Sequence, residues 1–260
     1  MAFYKFIAKL SHLSFKFLKR LTDFLDAAFS GFFLGVMSQK SLDFSDELYY
    51  NRNKSYLEDK YNLSGLFEWE KPVIQKYFSN AKSILLIAAG GGREALALSK
   101  MGYEVDSYEC NKALIEHGNK LLQKNKIENL IKYLPRNTVP EEIRKYDGII
   151  IGWGAYSHIP GSKKRFSFLT GLYPFLNKET PLMISFLFTH GRNRRDKIIK
   201  NVSNFFRIFG NKDKTEPGDR LEPGFIHYFT EEEIKSELIQ SKFSIIEYSS
   251  KDYGCVIAGI

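Results

Sequence analysis

The stretch Ile84-Leu-Leu-Ile-Ala-Ala-Gly90-Gly91-Gly92-Arg93-Glu94-Ala95 decides how this chain is read. An apolar run of this length suits a buried strand, and the three glycines suit a tight turn that opens a helix. Glycines at that point let the backbone come close to a ligand lying over the helix N-terminus. Seventeen residues after Gly92 stands Glu109, at the end of a second apolar-alternating run. An acid so placed can accept hydrogen bonds from both ribose hydroxyls of an adenosine-containing cofactor.

Outward from this unit, strands are expected over 84–89, 104–109, 130–134, 147–152 and 182–188. Helices are expected over 93–99, 112–124 and 164–176. Strand–helix alternation of this kind implies a mostly parallel sheet covered on both faces. Further on, Thr230-Glu-Glu-Glu233 has the form of a capping box opening a helix to Gln240. The runs 243–248 and 253–260 close the chain as a hairpin. Upstream, a helix is expected over 66–78, with Pro72 near its start.

Composition separates two regions. The chain has 260 residues and a formal charge of +8, with 22 Phe and only 2 Cys. Two cysteines exclude a disulfide framework and a Cys-rich zinc site, and a cytoplasmic setting is the expectation. Residues 1–22 hold Lys5, Lys9, Lys16, Lys19 and Arg20 and no acid, leaving 33 basic against 30 acidic residues elsewhere. Eight phenylalanines also fall within the first 33 residues. Lysines interrupt every stretch before residue 20, so no bilayer-spanning window is present there. Phe3, Ile7, Leu10, Phe17, Leu21 and Phe24 recur at helical steps, which predicts an amphipathic helix. Such a helix can pack on the main domain or a second subunit, or lie on an anionic membrane as a peripheral contact through residues 1–33.

The glycine turn and Glu109 resemble class I S-adenosylmethionine-dependent methyltransferases, and the likeness runs from about residue 66 to 260. Tyr146-Asp-Gly-Ile-Ile-Ile-Gly152-Trp153-Gly-Ala-Tyr156-Ser-His158 looks like that family's fourth strand and catalytic loop. His227-Tyr-Phe-Thr-Glu-Glu-Glu-Ile and Ser241-Lys-Phe-Ser-Ile-Ile-Glu look like the helix and sixth strand of its small-molecule members. The resemblance implies a Rossmann-like α/β fold: a seven-stranded, mostly parallel sheet with an antiparallel last strand, plus an N-terminal helical extension. Residues 1–80 would be the extension and cap. Residues 81–260 would be the methyltransferase domain, with a lid-like insertion over 189–224.

On that resemblance S-adenosyl-L-methionine is the cofactor, held by Ala88, Ala89, Gly90, Gly91, Gly92, Glu109, Cys110, Asn137, Gly152 and Trp153. The acid usually found just ahead of the first turn glycine is absent, since Leu86 and Ala88 stand there. Support for the methionine amino group would then come from the Gly152 carbonyl or a tyrosine of 49–61. Asn137, in Pro135-Arg136-Asn137, stands where the family often has an acid near the adenine amine.

Methyl transfer requires alignment, exclusion of water and, for a hydroxyl acceptor, removal of a proton. His158 is the candidate base, and Tyr156 the candidate for orienting substrate. The plain alternatives are a carbonyl hydrogen bond for His158 and packing for Tyr156. Tyr50, Tyr56 and His227 are candidate substrate contacts. No metal site is expected. The basic stripe Arg192, Arg194, Arg195, Lys197, Lys200 and Arg207 admits an anionic small molecule, though interspersed acids argue for a solvated lid and against nucleic acid. Gly90-x-Gly92-x-x-Ala95 also permits an NAD(P)-dependent oxidoreductase. A non-catalytic interaction protein that uses its N-terminal helix is a third reading. A homodimer is compatible with the sequence.

Overall fold

The computed structural model describes residues 2–207 and 213–260. Four helices come first: α1 (Ala2–Val36), α2 (Gln39–Arg52), α3 (Asp59–Asn62) and α4 (Glu70–Tyr77). The alternating unit then runs β1 (Ser83–Ile87), α5 (Arg93–Lys100), β2 (Glu104–Glu109), α6 (Lys112–Lys124), β3 (Lys132–Tyr133) and β4 (Gly148–Ile151). It continues with α7 (Ser162–Gly171), β5 (Leu182–Phe186) and α8 (Arg194–Phe206). A small hairpin, β6 (Asp219–Leu221) and β7 (Phe225–His227), precedes α9 (Glu231–Gln240), β8 (Ser244–Ser249) and β9 (Gly254–Gly259).

Seven strands form one sheet in the order β3-β2-β1-β4-β5-β9-β8, and β9 runs antiparallel to both its neighbours. The predicted architecture is therefore present, antiparallel last strand included. Every residue of β1, β4 and β5 is buried, as a sheet covered on both faces requires. Period-two alternation sorts them between two cores. Leu85, Ile87, Ile149, Ile151 and Ile184 enter one, while Ile84, Leu86, Ile150 and Met183 enter the other. Strand order reverses between β1 and β4, which opens a crevice at their carboxyl ends.

Several boundaries differ from expectation for local reasons. Helix α4 starts at Glu70 instead of Leu66, because the Glu70 carboxylate turns back to accept the Phe67 N–H at 2.6 Å. The helix expected to reach 176 stops at Gly171 and gives way to a 3-10 turn over Tyr173–Phe175 that contains Pro174. The third strand is two residues long, and the turn-rich stretch after α8 contains the unexpected β6–β7 hairpin. Arg194, Arg195, Lys197 and Lys200 of the basic stripe lie on α8, which ends at Phe206. The capping box is present, with Thr230 Oγ1 accepting the Glu233 N–H and the Glu233 carboxylate accepting the Thr230 N–H.

Helix α1 divides in two. Residues 3–26 are exposed, whereas Ala27, Ser30 and Leu34 are buried. The buried part packs on α8 through two glycines. A Cβ on Gly31 would meet the Ile199 carbonyl oxygen at 2.7 Å, and one on Gly35 would meet that of Ser203 at 2.7 Å. Hydrogen at these two positions permits the close helix–helix approach. The Leu221 N–H donates to Ser30 Oγ at 3.1 Å, tying α1 to β6 as well.

Candidate active site

At the carboxyl ends of β1, β2 and β4 lies a cavity of about 310 Å³. The turn after β1 forms its floor. Ala88 and Gly90 both adopt the left-handed conformation, with φ 65° and 55°. A Cβ on Gly90 would meet nothing within 4 Å, so this glycine leaves open space beside the cavity. Gly91 is tighter: a Cβ there would sit 2.6 Å from the Tyr56 carbonyl oxygen. Gly92 initiates α5 at φ 96° and backs onto Gly118, so it shapes the turn without lining the cavity. Gly152 also stands outside the lining. Its missing Cβ allows the Ala88 carbonyl to approach, and its own carbonyl accepts from Ser185 Oγ.

Glu109 closes this floor. Its Oε2 accepts the Gly90 N–H at 2.9 Å, while Oε1 accepts the N–H groups of Cys110 and Asn111 at 2.8 and 2.9 Å. The acid after β2 is thereby locked onto the glycine turn, with its carboxylate on the cavity wall. Cys110 lines the cavity too, and burial pushes its thiol well above the ordinary range, so it is a neutral packing group. Ala89, Asn137 and Trp153 also line the wall. The Asn137 backbone is left-handed at φ 59°, and the Trp153 ring packs against Phe67 and Tyr253 at centroid distances of 5.6 and 5.3 Å.

The roof comes from α2 and the turn after it. Tyr49, Tyr50 and Tyr56 line the cavity with His158. His158 Nδ1 lies 3.0 Å from the Phe225 carbonyl oxygen, and its Nε2 lies 3.3 Å from the Tyr50 hydroxyl. A carbonyl can only accept, so the neutral ring carries its proton on Nδ1 and offers a lone pair at Nε2. Burial pushes the His158 pKa down and outweighs the nearby Asp46 carboxylate, which keeps the ring neutral near pH 7. The carbonyl hydrogen bond is present, and the ring also lines the cavity.

Two expected site residues lie elsewhere. Tyr156 is fully buried, stacks on Phe229 at 5.3 Å and donates its hydroxyl to Glu237 at 2.8 Å. Its side chain belongs to the core with Arg165 and does not line the cavity. His227 is likewise buried, with Nδ1 2.6 Å from the Asp219 carboxylate, and supports the β6–β7 hairpin instead of the cavity wall. Glu216, Asp219 and His227 cluster closely enough to suggest a metal. Arg165 and Ser162 already occupy Glu216, and the Glu216 N–H occupies Asp219. The two carboxylates are thus engaged from within the protein, while His227 Nε2 has no hydrogen-bond partner.

Sequence reasoning missed several cavity residues. Asp46 is buried, pairs with Arg136 at 2.9 Å and accepts the Phe225 N–H at 3.2 Å. Gly224 makes room for it, since a Cβ there would fall 1.8 Å from Asp46 Oδ1. Nothing in the polar stretch around Asp46 signalled a site, because α2 reaches the cavity only through tertiary packing. Glu94, two residues past the last turn glycine, is a second such residue. It lines the cavity, lies 3.3 Å from Arg93 and accepts the Trp153 N–H. Burial first, then the neighbouring Glu70, raise its pKa to about 8 against the pull of Arg93. Arg93 is itself clamped by Glu70 at 2.7 and 2.8 Å and lies over the Phe67 ring.

Comparison with known proteins agrees with this geometry. The family described as "Tellurite resistance protein TehB" matches residues 49–151, from the end of α2 through β4. No curated protein matches the sequence. A Methanosarcina mazei protein described as a SAM-dependent methyltransferase shares 19% identity and a TM-score of 0.56, covering 75% of this chain and 98% of its own. A Clostridium acetobutylicum S-adenosylmethionine-dependent methyltransferase shares 12% identity and a TM-score of 0.54, over 73% and 89%. The glycopeptide N-methyltransferase MtfA, solved with S-adenosyl-L-methionine, shares 13% identity and a TM-score of 0.55, over 76% and 88%. Strand order and crevice together give the chain the fold of these S-adenosylmethionine-dependent methyltransferases.

Proposed function

We propose that this protein transfers a methyl group from S-adenosyl-L-methionine to an oxygen or nitrogen of a small-molecule acceptor. The observation that carries the reading is one cavity holding the glycine turn, Glu109 and a neutral histidine together. The residues fit the cofactor. Gly90 leaves the cradle open, and Glu109 presents a carboxylate fixed by three backbone N–H groups, suited to paired ribose hydroxyls. Glu94, beside the turn, supplies the acid missing ahead of the glycines and would face the methionine ammonium. Bound there, the sulfonium provides an electrophilic methyl carbon.

The chain's own contribution is alignment and proton removal. The turn 88–91, Glu94 and Glu109 would hold the cofactor so that its methyl carbon lies in line with the acceptor's lone pair. His158 Nε2 would take the acceptor's proton, with Tyr50 positioned to hold the acceptor or pass the proton. On this reading residues 1–80 are extension and cap, residues 81–260 are the catalytic domain, and 189–224 is the lid. Both arginines on the cavity wall are already paired, Arg93 with Glu70 and Arg136 with Asp46. That favours a neutral or amine acceptor over an anionic one. Three lid cations are also engaged, Arg192 with Glu233, Arg195 with Asp26 and Glu222, and Arg220 with Asp196.

The oxidoreductase alternative draws less support. A dinucleotide fold continues its parallel strands past β5, whereas here the next strand in the sheet is the antiparallel β9. Thermal melts with S-adenosylhomocysteine, NAD and NADP separate the readings. The expected result is a rise in Tm with S-adenosylhomocysteine only, strongly reduced in Glu109→Ala. No shift at saturating S-adenosylhomocysteine, or a shift with a nicotinamide nucleotide alone, would overturn the proposal.

A further inference from the structure

The exposed part of α1 is unexplained by methyl transfer. From residue 3 to residue 26 every side chain is exposed, a length of roughly 36 Å at 1.5 Å per residue. An isolated helix in water gains little from its own propensity, so a face this apolar calls for a cover. Phe3 is 76% exposed, Phe15 71% and Phe17 65%.

Charge and periodicity sort this segment cleanly. Phe3, Ile7, Leu10, Phe17, Leu18 and Leu21 fall on one side at 100° per residue. Lys5, Lys9, Lys16, Lys19 and Arg20 fall on the opposite side, and no acid occurs before Asp23. No helix among the described residues is long and apolar enough to cross a membrane. A helix with a broad aromatic-rich apolar arc and, as far as Arg20, only cationic charges opposite it suits the plane of an anionic bilayer. There the apolar arc enters the acyl boundary, and the lysine stems carry their ammonium groups up to the lipid phosphates.

We infer that residues 3–26 are a docking helix for an anionic lipid surface. A second copy could cover the apolar arc but would leave the five cations on the far side unengaged, whereas an anionic bilayer engages both. The base of α1 is attached to the body by close packing of Gly31 and Gly35 on α8 and by the hydrogen bond of Ser30 with β6. Since Glu222, next to β6, lines the cavity, docking would hold the lid side of the enzyme against the membrane. The inference is independent of the reaction and stands whether or not the cavity transfers methyl groups.

The test is co-sedimentation of the full chain with vesicles of phosphatidylcholine alone or with 30% phosphatidylglycerol, at 0.1 M and 0.5 M salt. Binding to the anionic vesicles at low salt is expected, at least tenfold tighter than to phosphatidylcholine and weakened by salt. Lys5→Glu/Lys9→Glu/Lys16→Glu and, separately, Leu10→Ser/Phe17→Ser should each remove it. These positions are exposed, so Tm should be unchanged. A Phe17→Trp variant adds a direct readout, because its emission should shift to the blue on anionic vesicles only. No binding to anionic vesicles, binding unaffected by both variants, or a dimer in solution that Leu10→Ser/Phe17→Ser dissociates would overturn the proposal.

Discussion

The Tyr50 hydroxyl lies 3.3 Å from His158 Nε2, while Nδ1 of the same ring is held by the Phe225 carbonyl. This joins a residue of α2 to one of the loop after β4, 108 positions apart in the chain, and fixes the tautomer a base needs. General base catalysis contributes about 10²–10⁴-fold. Replacing His158 by Asn should lower kcat by that order and leave the dissociation constant for S-adenosylhomocysteine nearly unchanged. Because burial lowers the His158 pKa below its ordinary 6.5, the acid limb of kcat should fall below that value. A limb above pH 7 would assign the base elsewhere.

Glu109 should govern the cofactor. A charged hydrogen-bonding group contributes about 1.5–3 kcal/mol, so Glu109→Gln should weaken S-adenosylhomocysteine by about tenfold to a hundredfold in calorimetry. The isosteric variant retains an oxygen for the Cys110 and Asn111 N–H groups but loses the acceptor for Gly90. An unchanged Tm of the free variant is therefore the control that separates lost affinity from a collapsed turn. Equal affinity for the two proteins would remove Glu109 from the site.

The sheet, the glycine turn and Glu109 were legible because each is written in local sequence. The central strands are continuous apolar runs, the turn is three glycines, and the acid stands at a strand end. Tyr156 and His227 were misread because the strand-end loop and the hairpin look alike in sequence whether a side chain faces the cavity or the core. Tyr156 turns inward to satisfy Glu237 beside the buried Arg165. Asp46 and Arg136 are 90 residues apart and meet only once α2 folds over the crevice. No period or spacing in either segment carries that information.

Glu70 and Arg93 should matter most for stability. Their side chains are only 1% and 4% exposed, and the pair joins α4 to the start of α5 directly beneath the turn. Breaking a buried, hydrogen-bonded pair by removing one partner costs about 3–5 kcal/mol, because the other charge is left uncompensated. Arg93→Ala should therefore destabilise the chain by about that amount in urea unfolding. Replacing both residues, Glu70→Leu with Arg93→Met, should recover a large part of the loss. A loss under about 1 kcal/mol for Arg93→Ala would mean that water already reaches the pair.

Glu94 should couple stability, cofactor and pH. Its folded pKa is about 8 and its ordinary value is 4.5. Between those values the folded chain holds a proton that the unfolded chain has released, so stability falls as pH rises through that window. Thermal melts of the free protein should decline from about pH 5 to pH 8 through this residue, and Glu94→Gln should flatten that slope. If the methionine ammonium meets Glu94, binding must draw the carboxylate into its charged form and release its proton. Calorimetry of S-adenosylhomocysteine at pH 7 in phosphate and in Tris should then give apparent enthalpies that differ by the buffers' ionisation enthalpies. The difference should disappear in Glu94→Gln. Equal enthalpies in the two buffers for the unaltered protein would place the ammonium away from Glu94.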